Sequence, residues 1–215
     1  MDTLKICIFT PRNSWMYQYS YELSLLLTNE KYTVSLHNEL LNETGDIAFY
    51  LSYPKILNPT QLKQFSHNIV VHFSNIPQGK GWSPASWQIL EGKNTIPLTL
   101  FEATEKVDSG KIYLKDIITL DGNELVNDWR TKLGIKTIRM CFQFLHSFPE
   151  LKNFGTLPQG KETFYSKRTP IDSKLDPNKS LNEQFNLLRI VDNENYPAFF
   201  YHNNKKYILK IFQED

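Results

Sequence analysis

Short apolar runs and stretches of helical periodicity take turns along the first half of the chain. Residues 5–10 (KICIFT) predict a strand closed by Pro11, and residues 32–37 and 46–52 (DIAFYLS) predict two more. Between the first and second, Ser14 is placed to cap a helix over 15–28, with Tyr17, Tyr21, Leu25 and Leu26 as its apolar stripe. Asn58 and Pro59 open a short helix through residue 65, and 68–72 (NIVVH) is a β-branched run. Strand, helix, strand, strand, helix, strand, with runs apolar on both faces, predicts an α/β fold. The expected architecture is a Rossmann-like, mostly parallel sheet with helices on both faces.

After His72 the texture changes. Residues 74–84 (SNIPQGKGWSP) carry two glycines and two prolines and read as an ordered loop. A helix over 85–91 is closed by Gly92, and strands over 96–103 and 112–116 flank a turn at 107–110. Residues 124–148 predict a long helix stopped by Pro149, with Leu125, Trp129, Leu133, Met140, Phe144 and Leu145 on its apolar side. Gly134 inside it costs about 1 kcal/mol against alanine. From residue 155 the chain turns polar, then gives an amphipathic helix over 180–191 with capping-box spacing at Ser180 and Glu183, and a β-hairpin around Asn203 and Asn204. The expected division is a catalytic domain over 1–150 and, packed on it, a C-terminal extension of helix plus hairpin over 151–215.

Composition narrows the partners. Lys and Arg number 24 and Asp and Glu 23, a net charge of +1, so the chain has no global field of the kind that phosphate-backbone binding draws on. Nucleic acid is disfavoured as a partner. Cys7 and Cys141 lie in apolar runs and read as buried thiols of a reducing compartment. No His/Cys cluster has metal-ligand spacing, so no metal is expected. No apolar run reaches the ~18 residues of a membrane span, and no secretory leader is visible. The chain reads as cytoplasmic, with no membrane partner.

The stretch from His72 to Gly110 carries the chemistry. A histidine ends a buried strand, at the carboxyl edge where open parallel sheets gather ligands. Asp108 follows 36 residues later in a VDSG turn. Either residue alone is ordinary: a satisfied core histidine, a turn aspartate. Together with Ser74, Pro77, Lys80-Gly81, Pro84, Gly92, Thr99 and Gly110-Lys111-Ile112, they form a pattern that resembles the folate-dependent formyltransferases. The resemblance covers residues 1 to about 150. The tail (KRTPID at 167–172, Asn186 to Arg189, Tyr196 to Phe199) is similar to that of short sugar-nucleotide N-formyltransferases, including those of 4-amino-4,6-dideoxy sugar and pseudaminic-acid-type pathways. One departure stands out: the family's Asn two residues before the His is Val70 here, and valine cannot donate a hydrogen bond to an oxyanion.

The resemblance implies transfer of a formyl group from N10-formyltetrahydrofolate to the amine of a nucleotide-linked amino-deoxy sugar, best a UDP-4-amino-4,6-dideoxy-N-acetylhexosamine, in surface polysaccharide biosynthesis. It implies His72 as acid/base with Asp108 as its electrostatic partner, near the neutral pH at which imidazole titrates. Asn68, on the same side of a regular strand as Val70 and His72 but further from the edge, could replace the missing amide only through a bulge or twist, and Asn75 is a second option. The folate pocket is expected from Tyr53, Ile56, Leu57, Ile76, Ala103 and Val107. For the nucleotide, Arg12, Lys80, Arg168 and Arg189 are candidate cations, Trp15, Trp82 and Tyr196 candidate stacking surfaces, and Ser74 part of the substrate wall. A non-catalytic binder, a formyltetrahydrofolate hydrolase and a methionyl-tRNA-type enzyme are the alternatives. The aromatic C-terminal hairpin suits either a homodimer surface or a cover for the chain's own core.

Overall fold

The computed structural model describes residues 3–40 and 42–214. The chain runs through β1 (Lys5–Phe9), α1 (Tyr17–Asn29), β2 (Thr33–His37), β3 (Gly45–Tyr50), α2 (Pro59–Leu62), β4 (Phe65–His72), β5 (Lys80–Gly81) and α3 (Pro84–Leu90). It continues through β6 (Thr95–Glu102), β7 (Ile112–Thr119), α4 (Val126–His146), α5 (Phe148–Phe154), β8 (Phe164–Tyr165), α6 (Phe185–Ile190), β9 (Ala198–His202) and β10 (Lys205–Leu209). Six strands make one sheet in the order β2-β1-β3-β4-β6-β7. The first four in that order are parallel; β6 pairs antiparallel with β4, and β7 antiparallel with β6, so β6 runs against the other five. The mostly parallel Rossmann-like sheet expected from the sequence is present.

Burial on both faces explains why the central strands read as continuous apolar runs. Ile6, Ile8, Ile47 and Phe49 point into the larger core with Leu23 and Leu27 of α1 and Leu133 and Phe144 of α4. Cys7, Phe9, Ala48 and Tyr50 point to the other face, against Leu57 and Phe65. Both cysteines are free and buried, and burial pushes each thiol's pKa up.

Several elements differ from expectation. The buried side of α1 is Tyr19, Ser20, Leu23 and Leu27, while Tyr21, Leu25 and Leu26 are exposed. Ser20 turns inward because its hydroxyl meets Thr10 Oγ1 at 2.7 Å, a polar pairing that hydropathy does not register. The long helix ends at His146, and Pro149 falls in the first turn of α5, where its missing N–H leaves no hydrogen bond unmade. Gly134 is where α1 crosses α4: a Cβ there would lie 2.5 Å from the Tyr19 ring. The Ser180–Glu183 cap contacts form, but residues 181–184 are turns and α6 starts at Phe185.

The tail folds back onto the main sheet's surroundings. β9 and β10 pair across Asn203 and Asn204, whose φ of 46° and 61° suit a tight hairpin turn. Ala198 packs inward with Leu175, Leu188 and Val191, leaving Tyr201, Tyr207, Ile208 and Phe212 exposed. Further upstream, β8 pairs in parallel with β5, inside the loop that follows His72.

Candidate active site

β1, β3 and β4 run parallel, so their carboxyl ends open on one edge of the sheet, the usual ligand edge of such folds. A cavity of about 610 Å³ lies there, walled by residues following each of these strands, by the 103–108 segment, by the start of α4 and by the tail. His72, the last residue of β4, and Asp108 both line it. His72 Nε2 is 2.9 Å from Gly79 O and 3.7 Å from Asp108 Oδ2. A carbonyl can only accept, so Nε2 carries the hydrogen in the neutral ring and Nδ1 is the nitrogen that gains or loses a proton. Asp108 Oδ2 also accepts from Gly81 N at 3.0 Å. With side chains only 11% and 13% exposed, the pair is shielded from solvent while still facing the cavity.

Two kinds of wall meet at this pair. Tyr53, Ile56, Leu57, Ala103 and Val107, all expected from the sequence, line the cavity together with Val70 and Phe101. Ile76 does not: it is buried behind them against Phe101 and Ile112. The second wall is aromatic and cationic. Trp15, Trp82, Arg168 and Tyr196, candidates for the nucleotide in the sequence, line it, joined by Arg130, Lys167 and Asp192, which sequence reasoning did not single out. The Arg130 guanidinium lies 5.6 Å from the Trp15 ring and 5.7 Å from Trp129, and donates to Asp192 Oδ2 at 2.9 Å. Burial alone would raise the Asp192 carboxyl, but Arg130 and the backbone N–H groups of Asn195 and Glu194 hold it down at about 2. Lys167 Nζ sits 4.9 Å over the Trp82 ring. Arg168 donates to Ile190 O, Asp172 O and Ser173 Oγ, while its Nε and that of Arg130 are buried without a hydrogen-bond partner among the described residues.

The remaining candidates lie outside the cavity lining. The Asn68 amide donates to Leu62 O and Phe65 O, and its oxygen accepts from Tyr50 OH at 3.1 Å, so the side chain is spent inside the fold. β4 pairs with β3 in regular register at this point, Asn68 opposite Ala48 and Val70 opposite Tyr50, without the bulge that would bring the amide forward. Asn75, the second option, is exposed and accepts from Lys115 Nζ at 2.7 Å. Ser74 is buried, its carbonyl accepting from Thr99 Oγ1. Lys80, 1% exposed, is paired with Glu162 at 2.8 Å and donates to Ser109 Oγ. Arg189 is equally buried and bound to Glu124, Asn94 and Asn186. Arg12 opens onto a separate groove beside Tyr17, Gln18 and Asn127. Arg130 is shared between that groove and the cavity. A signal for it existed in the sequence, an Arg beside a Trp at the edge of the α4 stripe. Lys167 stood in the quoted KRTPID run. Among the described residues no three His, Cys, Asp or Glu side chains gather as metal ligands, and no helix is long and apolar enough to cross a membrane.

A parallel sheet with a His–Asp pair at its carboxyl edge is the frame in which comparison with known proteins becomes informative. The chain belongs to the formyl transferase family, whose signature matches residues 15–134, more than half of its length. It is 30% identical over 168 residues to the bifunctional polymyxin resistance protein ArnA of Wigglesworthia glossinidia brevipalpis, covering 76% of this chain and 25% of ArnA. It is 30% identical over 153 residues to methionyl-tRNA formyltransferase of Thermosipho melanesiensis, covering 70% of this chain and 48% of that protein. The chain thus spans a quarter to about half the length of these curated relatives. Its fold is similar to a sugar N-formyltransferase from Shewanella, with a TM-score of 0.73 at 12% identity over 98% of both chains. It is also similar to HypX from Aquifex aeolicus in complex with tetrahydrofolic acid, with a TM-score of 0.78 at 16% identity over 98% of this chain and 38% of HypX.

Proposed function

We propose that this protein transfers a formyl group from N10-formyltetrahydrofolate to the amine of a nucleotide-linked amino-deoxy sugar, with a UDP-4-amino-4,6-dideoxy-N-acetylhexosamine as the best candidate acceptor. The observation that carries the reading is the position of His72 and Asp108 where an apolar wall meets an aromatic, cationic one. The donor's fit is a matter of wall chemistry. Tyr53, Ile56, Leu57, Ala103 and Val107 offer a flat heterocycle an apolar slot with few competing polar groups. When bound, the folate supplies an activated formyl carbon.

The chain's own side chains account for the rest. His72, hydrogen-bonded through Nε2 to Gly79 O, takes up and releases the amine's proton at Nδ1. Asp108 Oδ2, 3.7 Å from Nε2, faces the positive charge that the ring carries while it holds that proton. Val70 in the wall offers no hydrogen bond to the developing negative charge, which places more of that duty on the imidazolium. On the acceptor side, Arg130, Lys167 and Arg168 are the cations for a diphosphate, and Trp15, Trp82 and Tyr196 the surfaces for base or sugar.

A tRNA acceptor is less well served. The net charge of +1 offers little to a polyanion, and the cations of this wall sit within a cavity rather than on a broad face. The discriminating experiment incubates the protein with N10-formyltetrahydrofolate and UDP-, dTDP- or GDP-linked 4-amino sugars and reads the mass gain of one formyl group. Formylation of a UDP-linked amino sugar is the expected result. Formate release without any amine, formylation of methionyl-tRNA, or no transfer at all would each overturn the proposal in favour of the corresponding alternative.

A further inference from the structure

His72 and Asp108 share an attachment: both bond to the backbone of one tripeptide. Gly79 O accepts from His72 Nε2 at 2.9 Å, and Gly81 N donates to Asp108 Oδ2 at 3.0 Å. This ribbon has little stiffness of its own. Gly79 and Gly81 have φ of +67° and +95°, and glycine is the residue that gives up most backbone freedom on being fixed. Its order must come from what it touches on the other side.

That other side is the tail. Gly79 N donates to Thr163 Oγ1 at 2.8 Å, Lys80 N to Thr163 O at 2.9 Å, and Trp82 N to Tyr165 O at 3.1 Å. Thr163 N in turn donates to Pro77 O at 3.3 Å. Lys80 Nζ reinforces the seam through Glu162 at 2.8 Å. Within this seam Thr163 is the side chain that bonds the Gly79 amide, and Gly79 also carries the carbonyl that His72 grips. Thr163 itself is exposed, so packing does not explain its place.

We infer that Thr163 is a positioning residue: its carbonyl holds the Lys80 N–H that shares a peptide plane with the Gly79 carbonyl, its hydroxyl fixes the Gly79 N–H on the other side of that glycine's free φ and ψ, and the two together aim the Gly79 carbonyl at His72 Nε2, keeping the neutral ring's hydrogen on Nε2 and Nδ1 available for the proton of the reaction. The kinetic consequence rests on the formyl-transfer reading, but the effect on the imidazole does not. The test uses the full chain and two variants. Thr163→Val keeps the shape and the β-preference but removes the acceptor, whereas Thr163→Ser keeps the acceptor. ¹⁵N shifts of the His72 ring, recorded where it is neutral, report which nitrogen carries the hydrogen. Wild type and Thr163→Ser should show the Nε2–H form, and Thr163→Val a mixture of both tautomers. With the formyl donor and an amino-sugar nucleotide, Thr163→Val should lose about tenfold in kcat, as loosened alignment does, with KM for both substrates within about twofold of wild type and Thr163→Ser restoring the rate. An unchanged tautomer signature in Thr163→Val, or a change that Thr163→Ser does not reverse, overturns the inference. Should the wild-type protein transfer no formyl group, the function proposal fails separately and the ring spectra still decide this one.

Discussion

Replacing Asp108 by asparagine removes one negative charge and little else. The amide oxygen can still accept from Gly81 N, at 3.0 Å in the wild type, and the backbone φ of +46° is one that asparagine tolerates as well as aspartate. What disappears is a carboxylate 3.7 Å from His72 Nε2, in a pair whose side chains are 11% and 13% exposed. At an effective dielectric of ~20, a carboxylate and an imidazolium at this separation attract by about 4 kcal/mol. That figure is a ceiling, because the asparagine dipole recovers part of it and water reaches the cavity side. At about 1.4 kcal/mol per tenfold, the ceiling is ~10³ in rate, and the expected loss in kcat is on the order of 10²-fold. The assay is formyl transfer at pH 7 under saturating donor and acceptor, read by mass, with donor affinity and melting temperature measured on the same preparation. A loss smaller than about threefold in a variant that melts and binds donor like wild type refutes the argument that the carboxylate sustains the charged ring.

Three further perturbations probe other parts of the molecule. Burial would raise the Glu124 carboxyl, but Lys132 at 2.6 Å and the backbone N–H groups of Asp121 and Gly122 bring it from 4.5 to about 2. Its contribution, ~3 kcal/mol, is complete above the unfolded value and lost as pH falls toward 2. Urea midpoints of wild type and Glu124→Gln should therefore differ at pH 7 and converge near pH 2, and a constant gap across that range contradicts the assignment. Arg130→Ala should weaken binding of a UDP-linked amino sugar on the order of tenfold and flatten its salt dependence in calorimetry, and an unchanged Kd would move the nucleotide off this wall. Val70→Asn should raise kcat, since one oxyanion donor is worth ~10²-fold elsewhere, at some cost in melting temperature from an amide set among apolar neighbours. A folded variant with no gain would mean that the transition-state charge is met by another group.

What the sequence made legible follows from which forces hydropathy records. β1, β3 and β4 are plain because both of their faces are buried, so their inner stretches, 6–9, 47–51 and 69–71, run continuously apolar. α1 was legible as a helix but not in its orientation. Tyr21, Leu25 and Leu26 are apolar and exposed, while Ser20 is polar and buried by its bond to Thr10. The same limit governs the site. The motif residues and the apolar wall after β3 were readable because a spacing pattern or an apolar run announces them. Lys80 and Arg189 look like ligand cations in sequence, yet each is buried against an internal carboxylate, Glu162 and Glu124. Charge in a sequence states what a residue can pair with, not where its partner is.

The contacts hardest to see are those made by backbone. Gly79 O and Gly81 N hold the His–Asp pair, and Thr163 and Tyr165 hold the ribbon between them, without any periodicity to mark either side. This bears on the expected division at residue 150. A fragment ending there would retain His72, Asp108 and both glycines but lose the strand edge that orders them. It would also lose Lys167 and Arg168, which the same short segment delivers to the cavity wall. One stretch of tail thus supplies cations to the cavity wall and stiffness to the ribbon that holds the His72–Asp108 pair. A substitution at the seam should therefore disturb rate through the imidazole even where it touches no substrate. The tail belongs to the site as much as the loop after His72 does.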